Sequence, residues 1–263
     1  MNTKHNMIKF ALGIEYDGSN YHGWQIQKGN ISSIQKEVEK AISIVANHKI
    51  TIICAGRTDS KVHSIGQVVH FSTISIRKKI SWILGINNYL PNNISVQWIK
   101  QVSEKFHARY SALSRCYRYI IYNNSFRSAL YFNQLNQIHN ALNIKNMLQA
   151  AKLIVGEYDF SSFRSKSCQS STPYRKIIYV NISYISKFIF IDIQANSFLQ
   201  CMVRNIVGCL IEIGKMKRRP EWILYVLKKK NRHFCAPTAS PSGLYLLSVY
   251  YPNYFRIPYY TVY

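Results

Sequence analysis

The chain has 263 residues, with 34 Lys plus Arg against 11 Asp plus Glu and a formal charge of +23. Length allows one large domain or two small ones, and 48% hydrophobic residues with 14% aromatic exclude a disordered polyelectrolyte. No membrane span or signal peptide is expected: Phe198 to Ile213 is broken by Arg204 and Glu212, and Ile8 to Ile14 holds Lys9 and runs into Glu15 and Asp17.

Alternation of Ile8, Phe10, Leu12, Ile14 and Tyr16 with smaller or polar residues predicts a half-buried strand, ended by Asp17-Gly18. A loop through Tyr21, His22, Gly23 and Trp24 leads to a helix whose start fits a Ser32/Gln35 capping box. Its apolar face is Ile34, Val38, Ala41, Ile42 and Val45. Strands are expected at Thr51 to Cys54 and Gln67 to Phe71, flanking the segment Ala55 to Gly66. A helix from Lys79 to Tyr89 stops at Pro91, and Ile94 to Val102 reads as a strand.

In the second half, Cys116 to Tyr122 alternates as a strand. Asn143 caps a helix that Gly156 ends. Ile177 to Tyr184 and Phe188 to Ala195 form an antiparallel pair. Leu199, Met202, Val203, Ile206, Val207, Leu210 and Ile211 keep the helical period, closed by Gly214, and leave Arg204 off the apolar stripe. Pro220 suits the first turn of another helix, and Leu244 to Tyr250 is a last strand. Strands and helices intermix without a βαβ rhythm, so the expected class is α+β, with two similar halves.

Six scattered cysteines (54, 116, 168, 201, 209, 235) form no CxxC pair or Cys/His cluster, so reduced thiols are expected and no metal site. His63 and His70 read as satisfied loop and strand histidines. The +23 charge points first to nucleic acid. Codon bias toward Ile, Lys, Asn and Tyr is the rival account of the excess lysine.

Acid scarcity shortens the list of carboxylates available for chemistry to four Asp (17, 59, 159, 192) and seven Glu. Asp17 reads as a turn residue and Asp159 as a backbone-bonding residue after a helix. Asp192 is either on the polar face of its strand or paired with a base such as Arg204. Asp59 lies in Gly56-Arg57-Thr58-Asp59-Ser60-Lys61-Val62-His63, a loop between two apolar strands, with Arg57 and Lys61 near enough to keep it ionised. On residues alone, an ordinary Arg57–Asp59 turn pair competes with a catalytic role.

Gly56-Arg57-Thr58-Asp59, Val62-His63 and Gly66-Gln67-Val68-Val69-His70-Phe71 together resemble the signature of the tRNA pseudouridine synthase A family. Further blocks carry the resemblance along nearly the whole chain. They are Glu15-Tyr16-Asp17-Gly18 through Gly23-Trp24-Gln25, Phe106-His107-Ala108-Arg109, Arg118-Tyr119-Ile120-Ile121-Tyr122, Met202-Val203-Arg204-Asn205-Ile206-Val207-Gly208 and Gly243-Leu244-Tyr245-Leu246.

The resemblance implies a pseudouridine-synthase-like α+β fold, with a mixed or antiparallel sheet and a basic cleft between two halves. It also implies isomerisation of uridine to pseudouridine at positions 38, 39 and 40 of the tRNA anticodon arm, by a cytoplasmic homodimer without cofactor or metal. Asp59 would be the catalytic aspartate, as nucleophile or base. Tyr117 would pack against the uracil, Leu244 would line the pocket, Arg57 would pair with Asp59 or help extrude the base, and Arg204 would lie near the carboxylate. We place the halves at residues 1–106, carrying the aspartate, and 107–263, completing the cleft. A non-catalytic RNA-binding or RNA-remodelling module and a base-excising nucleosidase are the alternatives.

Two departures stand out. Ser60-Lys61 replace an Ala-Gly pair, so a positive φ at Lys61 would be strained by about 1–2 kcal/mol, or Lys61 would add a phosphate contact. Gln200-Cys201 replaces a pair that often contains His.

Overall fold

The structure, a computed structural model, describes residues 7–29 and 31–259. Its elements run β1 (Ile8–Tyr16), α1 (Ile34–Ala46), β2 (Ile53–Cys54), β3 (His63–Thr73), α2 (Lys79–Tyr89), β4 (Ile94–Gln101), β5 (Ser114–Asn123) and β6 (Asn136–Ile138). They continue as α3 (Ile144–Lys152), β7 (Gly156–Asp159), β8 (Tyr174–Ile185), β9 (Phe188–Ala195), α4 (Met202–Gly214), α5 (Trp222–Lys229) and β10 (Leu244–Tyr250). Strands and helices alternate without βαβ units, which makes this an α+β protein. Among the described residues no helix is long and apolar enough to cross a membrane.

The chain forms two compact units: residues up to Leu113 together with those from Leu246 onward, and Ser114–Tyr245. The sequence expectation put the boundary at 106/107 and kept the C-terminal residues with the second half. The return of the chain to the first unit follows from β10, which lies beside β3, where Ser64 Oγ donates to the Leu246 carbonyl at 3.0 Å.

In the first unit β1 pairs antiparallel with both β3 and β4, and β2 adds to β3. The period-two pattern of β1 points Phe10, Leu12, Ile14 and Tyr16 into one core with Val38, Ala41 and Ile42 of α1 and Trp82 and Ile86 of α2. Phe71 and Trp82 meet edge to face at 5.7 Å. The expected capping box at Ser32/Gln35 is not formed. Ser33 precedes the helix and makes no side-chain cap bond. Instead the Gly23 and Trp24 carbonyls accept the Ile34 and Gln35 amides at 3.3 and 3.0 Å, and the Gln35 side chain turns to Glu39 and the Ile26 amide. Carbonyls from the preceding loop thus satisfy the open helix donors.

In the second unit β9 pairs antiparallel with β5 and β8, β7 adds to β8, and β6 runs parallel to β5, so the sheet is mixed. Asn143 caps α3 as expected, its Oδ1 accepting the Asn146 amide at 3.0 Å. That helix stops at Lys152, and Gly156 instead opens β7 at φ +124°. Helix α4 starts at Met202 rather than Leu199, because Cys201 takes the left-handed conformation. Asp192 is 3% exposed, and its partner is Arg118, not Arg204: the two face each other across β5 and β9, with both carboxylate oxygens bonded at 2.8 and 2.9 Å.

Candidate active site

The loop from Gly56 to Val62 joins β2 to β3 and has no regular structure, so its shape depends on what surrounds it. Arg57 is exposed, Thr58 buried and Asp59 half-buried. Behind it lies the segment after β1. The Trp24 amide donates to the Thr58 carbonyl at 3.1 Å, the Lys61 amide to the Tyr21 carbonyl at 3.2 Å, and Ser60 Oγ to that same carbonyl. The Val62 amide closes the turn on the Asp59 carbonyl at 3.2 Å, and Gln67 Nε2 holds the Gly56 carbonyl at 2.7 Å.

Two glycines permit this close approach. Gly23, at φ +99°, would bring a Cβ within 2.8 Å of the Thr58 carbonyl oxygen, and one on Gly18 would collide with the Val62 carbonyl. Asp17 is the turn residue expected, accepting the Ser19 amide at 2.9 Å. It also stands 3.0 Å from Nδ1 of buried His63, which the Gly18 amide nitrogen approaches at 3.2 Å. Burial pushes the Asp17 carboxyl up, but the Ser19 hydrogen bonds and the charge of His63 leave it below the ordinary value. Lys61 has φ +63°, the left-handed conformation in which a non-glycine residue is strained.

The remaining predicted site residues belong to the second unit. Tyr117 is in the middle of β5 opposite Ile193, 7% exposed, with its ring edge-on to Phe198 at 5.0 Å. Arg204 is half-buried on α4, off the apolar stripe as its spacing predicted, and its Nε donates to the Ala239 carbonyl at 2.8 Å. Leu244 opens β10 and is buried. Asp159 accepts the Ser161 amide at 2.9 Å, the backbone role expected of it. His70 accepts the Ala108 amide at 3.1 Å, and burial with the nearby charges of His107 and Lys9 lowers its pKa to about 4.

Sequence reading missed the side chains that support this loop, Tyr16 and Asp17–His63, and the Arg118–Asp192 pair. Their signal was the presence of Tyr16, Asp17, His63 and Arg118 within the blocks quoted above.

The family model described as tRNA pseudouridine synthase matches residues 13–111 and 150–252. This chain belongs to the tRNA pseudouridine synthase family. It is 58% identical over 251 residues to a tRNA pseudouridine synthase A of Buchnera aphidicola subsp. Baizongia pistaciae, covering 95% of each chain. To the protein of that name from Haemophilus influenzae strain PittGG it is 53% identical, over 95% of this chain and 93% of the relative. A solved Cbf5-Nop10-Gar1 complex overlays with a TM-score of 0.37 at 11% identity, over 77% of this chain and 45% of that one, too little to inform the site.

Proposed function

We propose that this protein isomerises uridine to pseudouridine at positions 38, 39 and 40 of the tRNA anticodon arm, as a cytoplasmic homodimer, with Asp59 as the catalytic carboxylate. The observation that carries this reading is the Gly56-Arg57-Thr58-Asp59 loop in a chain of this family, its acid half-buried on an irregular connection held from behind. The reaction breaks the bond between ribose C1′ and uracil N1, turns the detached ring, joins C5 to C1′, and in net terms moves the C5 proton to N1. Nothing is oxidised and no group is imported, so the chemistry calls for no cofactor.

A glycosidase uses two carboxylates because its leaving alcohol must be protonated. Uracil anion is stabilised by its own carbonyls, so one carboxylate suffices. Asp59 attacks C1′ as nucleophile or removes a ribose proton as base. Tyr117 offers an aromatic face that retains a flat base while it turns, worth about 1–3 kcal/mol. Leu244 lines its pocket, and Arg57 pairs with Asp59 or helps extrude the base. Extruding a base from the stem costs a few kcal/mol, which contacts from Lys and Arg to phosphate offset.

Incubation with undermodified tRNA, followed by mapping of pseudouridine, tests the reading. Conversion at positions 38 to 40 is expected. Binding without conversion would favour an RNA-binding module, and release of free uracil a nucleosidase. Asp59→Asn should abolish turnover and leave tRNA affinity nearly intact; equal loss of both would make Asp59 structural. Affinity should fall steeply with salt as phosphate neutralisation releases counterions, and a flat response would contradict an RNA surface built from these cations.

A further inference from the structure

The carboxylate of a loop residue is only as well placed as the peptide that carries it. Several contacts to the Asp59 loop come from backbone groups, which any sequence supplies. Two come from side chains of strands: Gln67 of β3 holds the Gly56 carbonyl at the start of the loop, and Tyr16 of β1 reaches the residue next to the acid. The hydroxyls of Tyr16, the last residue of β1, and Thr58, the residue before Asp59, are 2.8 Å apart and buried. Tyr16 is 3% exposed and Thr58 7%. The Tyr16 ring leans on Trp24 at 5.9 Å, and the Trp24 amide in turn holds the Thr58 carbonyl, so both ends of Thr58 are tied to the same wall. Packing at the end of β1 would be served equally by Phe. The hydroxyl adds a bond to the residue next to the acid.

We propose that Tyr16, acting through the Thr58 hydroxyl, is a positioning residue for the reaction: it fixes the peptide from which the Asp59 carboxylate projects. The proposal rests on Asp59 being the catalytic carboxylate. Whether that group attacks C1′ or takes a ribose proton, it must hold a near-attack geometry, and small displacements are costly there. A bond between two buried hydroxyls, one on a paired strand, anchors an irregular loop to a rigid element.

The test uses the full-length protein with undermodified tRNA, measuring kcat, KM and melting temperature for Tyr16→Phe, Thr58→Val, their double variant and Thr58→Ser. Tyr16→Phe and Thr58→Val should each lower kcat by about 10- to 100-fold with KM for tRNA nearly unchanged. The double variant should be no slower than the slower single, since both remove one bond. Thr58→Ser, which keeps the hydroxyl, should retain most of the rate. An unchanged kcat, losses that multiply in the double variant, or a rate loss restored by cooling below a lowered melting temperature would each overturn the proposal. Should Tyr16→Phe fail to fold, the contrast between Thr58→Val and Thr58→Ser decides. Asp59→Asn run alongside separates the two layers. Turnover by Asp59→Asn would sink the catalytic reading itself, whereas an inactive Asp59→Asn beside a fully active Tyr16→Phe would sink only the positioning role.

Discussion

Asp59 and Asp192 are two of only four aspartates in the chain, and their settings are opposite. Asp192 is in the β5–β9 ladder, almost wholly buried, with one guanidinium taking both of its oxygens. Hydrogen bonding to the buried carboxylate holds the Arg118 guanidinium pKa above its ordinary value against the desolvation that would lower it. Asp59 is on an irregular loop, half-buried, with its peptide held by backbone bonds and by its neighbour's hydroxyl. A carboxylate engaged at both oxygens by one arginine is committed to joining two strands. A carboxylate on a braced but irregular loop can meet a substrate.

Substitutions can break or sharpen that contrast. The largest expected effect is on turnover: Asp59→Asn should lose at least about a thousandfold in kcat while melting near the parent temperature. Asp192→Ala should do the reverse, destabilising by about 2–4 kcal/mol because it leaves Arg118 without its buried counter-charge. Chemical denaturation gives that figure, and rate per folded molecule should hold. A catalytic loss at Asp192 as deep as at Asp59 would erase the distinction.

A third measurement concerns acid. Burial, with the charges of His107 and Lys9, holds His70 on β3 at about 4 against an ordinary 6.5. Between these values the unfolded chain takes up a proton that the folded chain refuses. Stability is therefore full above about pH 6.5 and falls as pH drops toward 4. Denaturation midpoints across that window should decline, and His70→Gln should flatten the decline. The smallest effect is at Lys61. Replacement by Gly relieves a left-handed φ and should stabilise by about 1 kcal/mol, or about 2–4 °C in melting temperature.

Much of this was legible because neighbours in sequence decided it. Helix α2 and strand β10 begin and end where the periodicity and Pro91 put them, and the Asn143 cap is a bond between residues three apart. Lys61 was flagged as strained because it stands where the resembled family has Gly, and its φ is positive. The failures share another cause. Helix α1 starts on carbonyls from a preceding loop rather than on a local cap. Assigning Arg118 to Asp192 required strand register over 74 residues, and pairing Tyr16 with Thr58 required 42. Local chemistry writes periods and caps into sequence, whereas a partner brought in by folding leaves only a residue type.

The path of the chain carries a consequence for how this molecule is made. The first unit is interrupted: Leu113 is followed by all of Ser114–Tyr245 before Leu246 rejoins it. Strand β3, which begins where the Asp59 loop ends, therefore receives its β10 neighbour only after the whole inserted unit has been made. Until then one edge of that strand lacks its native partner, and the span to be closed is 182 residues between Ser64 and Leu246. Contacts of such separation form slowly, and exposed strand edges in partly folded chains invite mispairing. Synthesis of the inserted unit thus sets the earliest moment at which the Asp59 loop can rest on a completed sheet.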